Sequence, residues 1–367
     1  MYKQLLVLLK MSKEIKTHIA KCVDTHYNMQ VNSLKRIRKG MGTRNWLLCT
    51  PEGRFFVKEY HKTSNLQGER EALELSEYAY QRGIPTPKII RTKSSNLMCV
   101  DGGIALALFE YISGATSQGE LSIDQMAEAG RVLGDIHRQF KRVKTERPAT
   151  TAKWPNFDER EKAQEIGRYL KTIAQKEKRD EFDEKTYGLL LKRIDLLNEV
   201  PKLLNSVSNL TTQVIHNDYS GLNLMFVGDE LRAVIDFNPP SPFLISYEIG
   251  RIALSPENLI SPDWREKALV LIKEYCAANE VNLKDIFFAP LMWLVQLIRS
   301  TYGVKQHYLN PHELQCQLDN FWFQRAHAAE LILENIVNLE KSFEEVWRKA
   351  GPIHGVGATD SYLLKSA

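Results

Sequence analysis

The chain has 367 residues, 26% of them charged and 43% apolar, with a formal net charge of +4. At roughly 100–200 residues per domain this length predicts two domains or lobes, and a near-average apolar content excludes wholesale disorder. The small positive balance lacks the clustered basic face of a nucleic-acid binder, and no apolar run reaches membrane length, so neither nucleic acid nor membrane is expected as a partner.

Cys22, Cys49, Cys99, Cys276 and Cys316 stand singly, with no CxxC pair. That pattern argues against a zinc site or a disulfide framework and fits reduced thiols in a cytoplasmic protein. Leu5 to Leu9 form an apolar run too short to span a bilayer, with no small-residue cleavage site after it; it reads as a helix start or a terminal strand. Ser12 to Met29 place Ile15, Ile19, Val23 and Tyr27 four residues apart, which predicts an amphipathic helix. Strands follow over Ser33–Arg38, Trp46–Thr50 and Arg54–Tyr60, the last two joined by a turn at Pro51-Glu52-Gly53. Ser64 to Arg82, rich in Glu, Leu and Ala, predicts a helix that stops at Gly83 before Pro85 and Pro87. Lys88–Arg91, Met98–Val100 and Ala105–Tyr111 read as extended, so the first 110 residues make a small sheet carrying one major helix.

Beyond Gly114 the texture turns helical. Ser122 to Phe140 is one helix opened by a Ser122/Gln125 capping box. Asp158 to Leu204 holds two charged helices, and Gln213–Ile215, Leu224–Val227 and Ala233–Ile235 interrupt as strands. Pro262 to Lys349 is helical again, and residues 351–367, rich in Gly and Ser, read as a flexible tail.

The densest chemical signal lies among the interrupting strands. Asp218 and Asn223 are separated by four residues, as in the H-R-D-x-x-x-x-N loop of kinases, and an apolar strand ending at Ile215 precedes them. In that pattern Asp218 would take the proton of an attacking hydroxyl and His216 would brace the loop. Asn223 would offer an amide oxygen to magnesium, a hard cation that prefers oxygen. Asp236, thirteen residues after Asn223 and at the end of a strand, would be the second metal ligand; Asp236-Phe237 matches the start of a D-F-G, with Asn238 in place of the glycine. Lys58, alone in the apolar strand Phe55-Phe56-Val57-Lys58, resembles the lysine of a V-A-I-K strand that clamps phosphates. Glu71 is the chosen helix partner for that lysine, with Glu69 and Glu74 as competitors. Gly40, Gly42, Thr43 and Asn45 form a loop whose backbone could cover the phosphates. Glu110 and Ile112 fall in the segment expected to hydrogen-bond the adenine edge. His137 reads as a packed helix residue, Glu248 and Arg251 as a supporting ion pair, and Trp293, Trp322, Phe323 and Arg325 as core or groove lining.

Taken together these segments resemble the aminoglycoside and choline phosphotransferase family, which includes kinase-like homoserine kinases, methylthioribose kinases and spore-coat relatives. The likeness rests on His216-x-Asp218-x4-Asn223 with Ile235-Asp236-Phe237, on Phe56-Val57-Lys58, on Gly83-Ile84-Pro85-Thr86-Pro87, on Phe109 to Gly114 and on Leu133 to His137. It implies an α+β, protein-kinase-like bilobal fold: a small antiparallel-sheet lobe over residues 1–110 and a large, mostly helical lobe over residues 111–350. It also implies ATP (sometimes GTP) and Mg2+, and phosphoryl transfer to the hydroxyl of a small molecule. Pro239-Pro240-Ser241-Pro242 leads almost directly into helical sequence, with no activation segment and no A-P-E, which disfavours a protein acceptor. An amino alcohol such as homoserine or choline is favoured over an aminoglycoside, because Phe287 to Asn310 carries no acids for a polycation. The acceptor pocket is expected between the catalytic loop and the helices from Ile286 to Phe323. The competing reading, a non-catalytic binding or structural protein on the same fold, has the intact Lys58, Asp218, Asn223 and Asp236 against it. Oligomeric state is not legible.

Overall fold

The computed structural model describes residues 2–37, 43–61, 63–117, 119–149, 156–309, 315–350 and 362–363, with side chains from Glu14 onward except at 362–363. Gly40 and Gly42, and the tail apart from a two-residue strand, lie outside the described residues. The chain divides into two compact units, one formed by residues 1–115 with 232–240 and 364–367, the other by 116–231 with 241–363.

In the first unit, α1 (Tyr2–Tyr27) leads to β1 (Ser33–Ile37), β2 (Thr43–Thr50) and β3 (Gly53–Tyr60). Then come α2 (Leu66–Gln81), β4 (Ile89–Ile90), β5 (Cys99–Asp101) and β6 (Ile104–Glu110). The strands form one antiparallel sheet in the order β1-β2-β3-β6-β4, with β5 also on β6. Thr50 and Gly53 face each other across the β2–β3 turn, and Gly53 adopts φ 141°, a conformation open to glycine. Successive side chains of a strand point to opposite faces, and β6 uses both. Leu106 and Leu108 join Trp46, Leu48 and Val57 beneath Ile19, Cys22 and Val23 of α1. Ala105 and Ala107 join Tyr60, Ile89 and Leu73 of α2. The sheet therefore carries a helix on each face: the major helix expected from sequence is α2, and α1, the predicted amphipathic helix, covers the other face. Arg232 to Pro240 belongs to this unit, and Val234 donates its N–H to the Pro85 carbonyl at 2.7 Å.

The second unit is mostly helical. After the two-residue β7 (Ala115–Thr116) come α3 (Ile123–Phe140), β8 (Val143–Lys144), α4 (Glu159–Ala174) and α5 (Glu181–Leu204). The interrupting segment holds β9 (Thr212–Val214), a 3-10 turn at Gly221–Asn223, β10 (Leu224–Val227) and β11 (Glu230–Val234), through which the chain enters the first unit. It returns with β12 (Pro242–Leu244), which pairs with β9, and continues as α6 (Ile245–Ala253), α7 (Pro256–Leu259) and α8 (Trp264–Ala278). Next are α9 (Leu283–Phe287), α10 (Ala289–Arg299), α11 (Val304–Leu309), α12 (Gln315–Ala350) and β13 (Tyr362–Leu363), which pairs with β8. The expected capping box is present: Ser122 Oγ accepts from Gln125 N, and Gln125 Oε1 accepts from Ser122 N. Among the described residues, no helix is long and apolar enough to cross a membrane.

Glycines let α3 lie close against α8. A Cβ at Gly130 would collide with the Leu271 carbonyl, and one at Gly134 would lie 2.7 Å from the Ala278 Cβ. Gly130→Ala is expected to destabilise the protein by about 1–3 kcal/mol, the usual cost of overpacking a rigid backbone contact. A denaturant titration measures it; an unchanged midpoint would contradict this packing.

Candidate active site

In the first unit, Lys58 sits at register with Asn45 on β2, so both project from the same face of the sheet. Lys58 Nζ donates to Asp236 Oδ1 at 2.5 Å, with the lysine side chain 19% and the aspartate 54% exposed. Thr43 Oγ1 donates to Asn45 Oδ1 at 3.0 Å. Asp236 has φ 65°, a left-handed conformation that costs energy for most residues and is tolerated best by Asn and Asp. Such conformations cluster where function demands them. Glu69 of α2 senses Lys58: burial raises its carboxyl, Lys58 pulls it down and Asp236 pushes it up. Glu71, the acid chosen from sequence, accepts from Gln67 Nε2 at 3.0 Å. The two acids lie two positions apart, so they point from different faces of α2. Glu110 exchanges hydrogen bonds with the Lys88 backbone, donating its N–H at 2.9 Å and accepting on Oε1 at 3.1 Å. Ile112 follows β6 in irregular backbone.

In the second unit, the loop after β9 is held from within the protein. Asn217 takes φ 70°, turning the chain so that Asp218 follows buried His216. His216 Nδ1 accepts from Asp218 N at 3.2 Å, and its ring meets Tyr219 edge-on at 5.8 Å. Asp218 is fixed on both oxygens. Oδ2 accepts from Asn223 Nδ2 at 2.9 Å, and Oδ1 accepts from the Arg251 guanidinium. The carboxylate remains 40% exposed. Asn223 Nδ2 also reaches the Asp218 carbonyl at 2.9 Å, so its amide nitrogen is committed inward and its oxygen is left for another partner. Arg251 takes a further bond with Tyr247 Oη at 3.1 Å. Burial works against its charge, but Tyr247 and Asp218 outweigh that and raise it.

Glu248 and Arg251 do not pair with each other, as the sequence suggested; each secures the loop separately. Glu248 is fully buried and accepts from His216 N at 3.0 Å and from Asn217 N. It also meets His137 Nε2 at 3.1 Å, while His137 Nδ1 meets Tyr275 Oη at 2.8 Å. Burial alone would raise Glu248; the His137 contact, with His216 and Arg251 nearby, holds its carboxyl below the ordinary range. The expected packed role of His137 is thus a specific one. A carboxylate lowered in the folded state contributes stability above its unfolded pKa, and loses it as pH falls through the folded value. Acid unfolding of the wild type should therefore draw on this group, and Glu248→Gln should flatten that part of the pH–stability curve. Glu248→Ala should cost about 3–5 kcal/mol at neutral pH, because it orphans buried partners. A pH series of urea titrations checks both.

Loop and helices also border a cleft within this unit. Ser220, Gly221 and Leu222 of the loop, Arg251, and Trp293 and Arg325 from α10 and α12 contribute to its wall. Its unfilled space, about 510 Å³, includes open solvent. Sequence reasoning missed Arg251 as the partner of Asp218 and gave Arg325 only a lining role. Neither role carries a local signal, because Asp218 lies 33 positions before Arg251 and Trp293 lies 32 before Arg325.

The donor types suit magnesium. Asp236 and Asn223 both offer oxygen, and among the described residues no group of three His, Cys, Asp or Glu side chains could hold a metal ion by itself. A magnesium ion bound mainly by substrate phosphates and water needs only one or two protein carboxylates.

Residues 33–279 match the model of the phosphotransferase enzyme family. A homoserine kinase of Methylobacterium radiotolerans is 24% identical over 269 residues, spanning 71% of this chain and 76% of that protein. Spectinomycin phosphotransferase, solved in complex with ADP and spectinomycin, superposes with a TM-score of 0.66 at 14% identity, covering 87% of this chain and 98% of the other. A microcompartment-associated aminopropanol kinase superposes with a TM-score of 0.57 at 16% identity, covering 87% and 98%. At these identities the two superpositions establish a shared protein-kinase-like fold.

Proposed function

The chain belongs to the phosphotransferase enzyme family and is a small-molecule phosphotransferase, and from that premise we propose that it moves the γ-phosphate of ATP to the hydroxyl of an amino alcohol or a related amino acid. The observation that carries this reading is Asp218, an accessible carboxylate held on both oxygens by Asn223 and Arg251 on a loop that borders a cleft. The homoserine kinase relative and the superposed aminopropanol kinase support the acceptor class, and the ADP carried by spectinomycin phosphotransferase supports the nucleotide.

In this reading Lys58 contacts the nucleotide phosphates, Glu69 orients Lys58, and Asp236 and Asn223 are the metal ligands. Thr43, Asn45, Glu110 and Ile112 remain proposed nucleotide contacts. Magnesium, when bound, would neutralise charge on the phosphates. Asp218 accepts the hydrogen bond of the acceptor hydroxyl. The hydroxyl oxygen forms its bond to the γ-phosphorus, the bond to the β–γ bridging oxygen breaks, ADP departs, and the hydroxyl proton passes to Asp218. Arg251 keeps that carboxylate aimed; His216 and Glu248 keep the loop in place.

The test is phosphotransfer by purified protein with Mg·ATP across a panel of small hydroxyl compounds, comparing wild type with Asp218→Asn. Equal turnover by the two would overturn the assignment.

A further inference from the structure

Arg325 is the feature that the transfer chemistry leaves unused. It projects from α12 and lines the cleft. Its guanidinium lies over Trp293 at 5.2 Å and over Phe321 at 5.1 Å. Among the described residues no carboxylate reaches it at ion-pair distance. Arg251, the other cation of the wall, is already neutralised by Asp218. Burial, with the like charge of Arg251 beside it, pushes Arg325 down to about 10, so it stays protonated at neutral pH. Glu257 attracts Arg325 without reaching ion-pair distance, so a ligand carboxylate at the guanidinium would add a close counter-charge. Trp293 and Phe321 flank the guanidinium, whose planar fork suits a planar two-oxygen partner.

We infer that the acceptor carries a carboxylate, that Arg325 binds it, and that the acceptor class is therefore hydroxy amino acids. This rests on the cleft being the acceptor site of the proposed reaction. Glu257 also lines the cleft and supplies the opposite sign. One positive and one negative side chain match a zwitterion, with the ammonium toward Glu257 and the carboxylate toward Arg325. A purely cationic alcohol such as choline would satisfy Glu257 and leave Arg325 without an anion. A phosphorylated acceptor would bring two negative charges to a wall that already contains Glu257.

The experiment uses pairs of acceptors that differ only by the carboxylate: L-homoserine against 3-amino-1-propanol, and L-serine against ethanolamine. Wild type is expected to favour the carboxylated member by about 100-fold or more in kcat/KM, as sites with committed polar groups reject analogues lacking the partner. Arg325→Met, which keeps bulk between Trp293 and Phe321, should raise KM for the carboxylated acceptor by about tenfold or more. It should leave KM for Mg·ATP and for the amine alcohols unchanged; Arg325→Lys should recover part of the loss. Equal or better use of the amine alcohols by wild type would overturn the inference. So would a uniform loss on both members in Arg325→Met. If no member is phosphorylated, calorimetric titration of the four compounds into protein loaded with Mg·AMP-PNP decides, and no preference for the carboxylated members refutes it. Failure of the parent reading has a different signature, undiminished turnover in Asp218→Asn.

Discussion

Asp218→Asn should lower kcat by about 10²–10⁴-fold, the span contributed by a positioned general base, while KM for Mg·ATP stays near wild type. The isostere tests charge and proton acceptance while retaining most of the local geometry. Its oxygen can still accept from Arg251. Its new NH2, however, would face Asn223 Nδ2, a donor that now meets Asp218 Oδ2 at 2.9 Å. One hydrogen bond is lost and two donors are opposed, so a fall in stability of about 1–3 kcal/mol should accompany the kinetic effect. The two effects separate cleanly. Single-turnover rates report the chemical step, and urea midpoints report the fold. If Asp218→Asn kept its rate but lost stability, Asp218 would be a structural group of the loop and the proton would leave by another route.

Asp236→Asn should abolish the stabilisation by Mg·ATP. Asparagine tolerates the left-handed conformation that Asp236 adopts at φ 65°, so the backbone has no reason to rearrange. The ion pair with Lys58 is half exposed on the aspartate side; its removal should cost the apo protein at most about 1 kcal/mol. The ligand effect is larger. A nucleotide present at 100 times its Kd stabilises the folded state by about 2.7 kcal/mol, and the variant should show almost none of this. EDTA added to the wild type should reproduce the variant. Thermal melts with and without Mg·ATP measure it. An equal rise in both proteins would mean that Asp236 serves only to anchor Lys58.

Several elements of this architecture were readable before any contact was known. The β2–β3 turn follows from Pro51-Glu52-Gly53, because turn dihedrals are a property of those residues. The start of α3 follows from Ser122 and Gln125, because a capping box closes within one helical turn. The 218-to-223 spacing was equally legible, since Asn223 folds back onto Asp218 across a single 3-10 turn. The second helix of the first unit was harder to place. Its stripe of Ile19 and Val23 announced a helix, but nothing local says that the stripe closes the sheet face made by Leu106 and Leu108.

The same division holds at the site. Residue types and short spacings determined by themselves that a carboxylate, an amide, a second carboxylate and a strand lysine would be offered for phosphoryl transfer. They also determined the family, because each group lies within a few residues of the element that presents it. Only the tertiary structure decided who meets whom. It put Glu69 in the field of Lys58; it joined Glu248 to His137 and to the loop backbone; it seated Arg251 on Asp218 and brought Arg325 to the cleft, 107 residues further along the chain. Those outcomes depend on helix rotation and packing. A change of one residue turns a helix face by about 100°, and which of several acids or arginines points inward is settled by the packed neighbours alone.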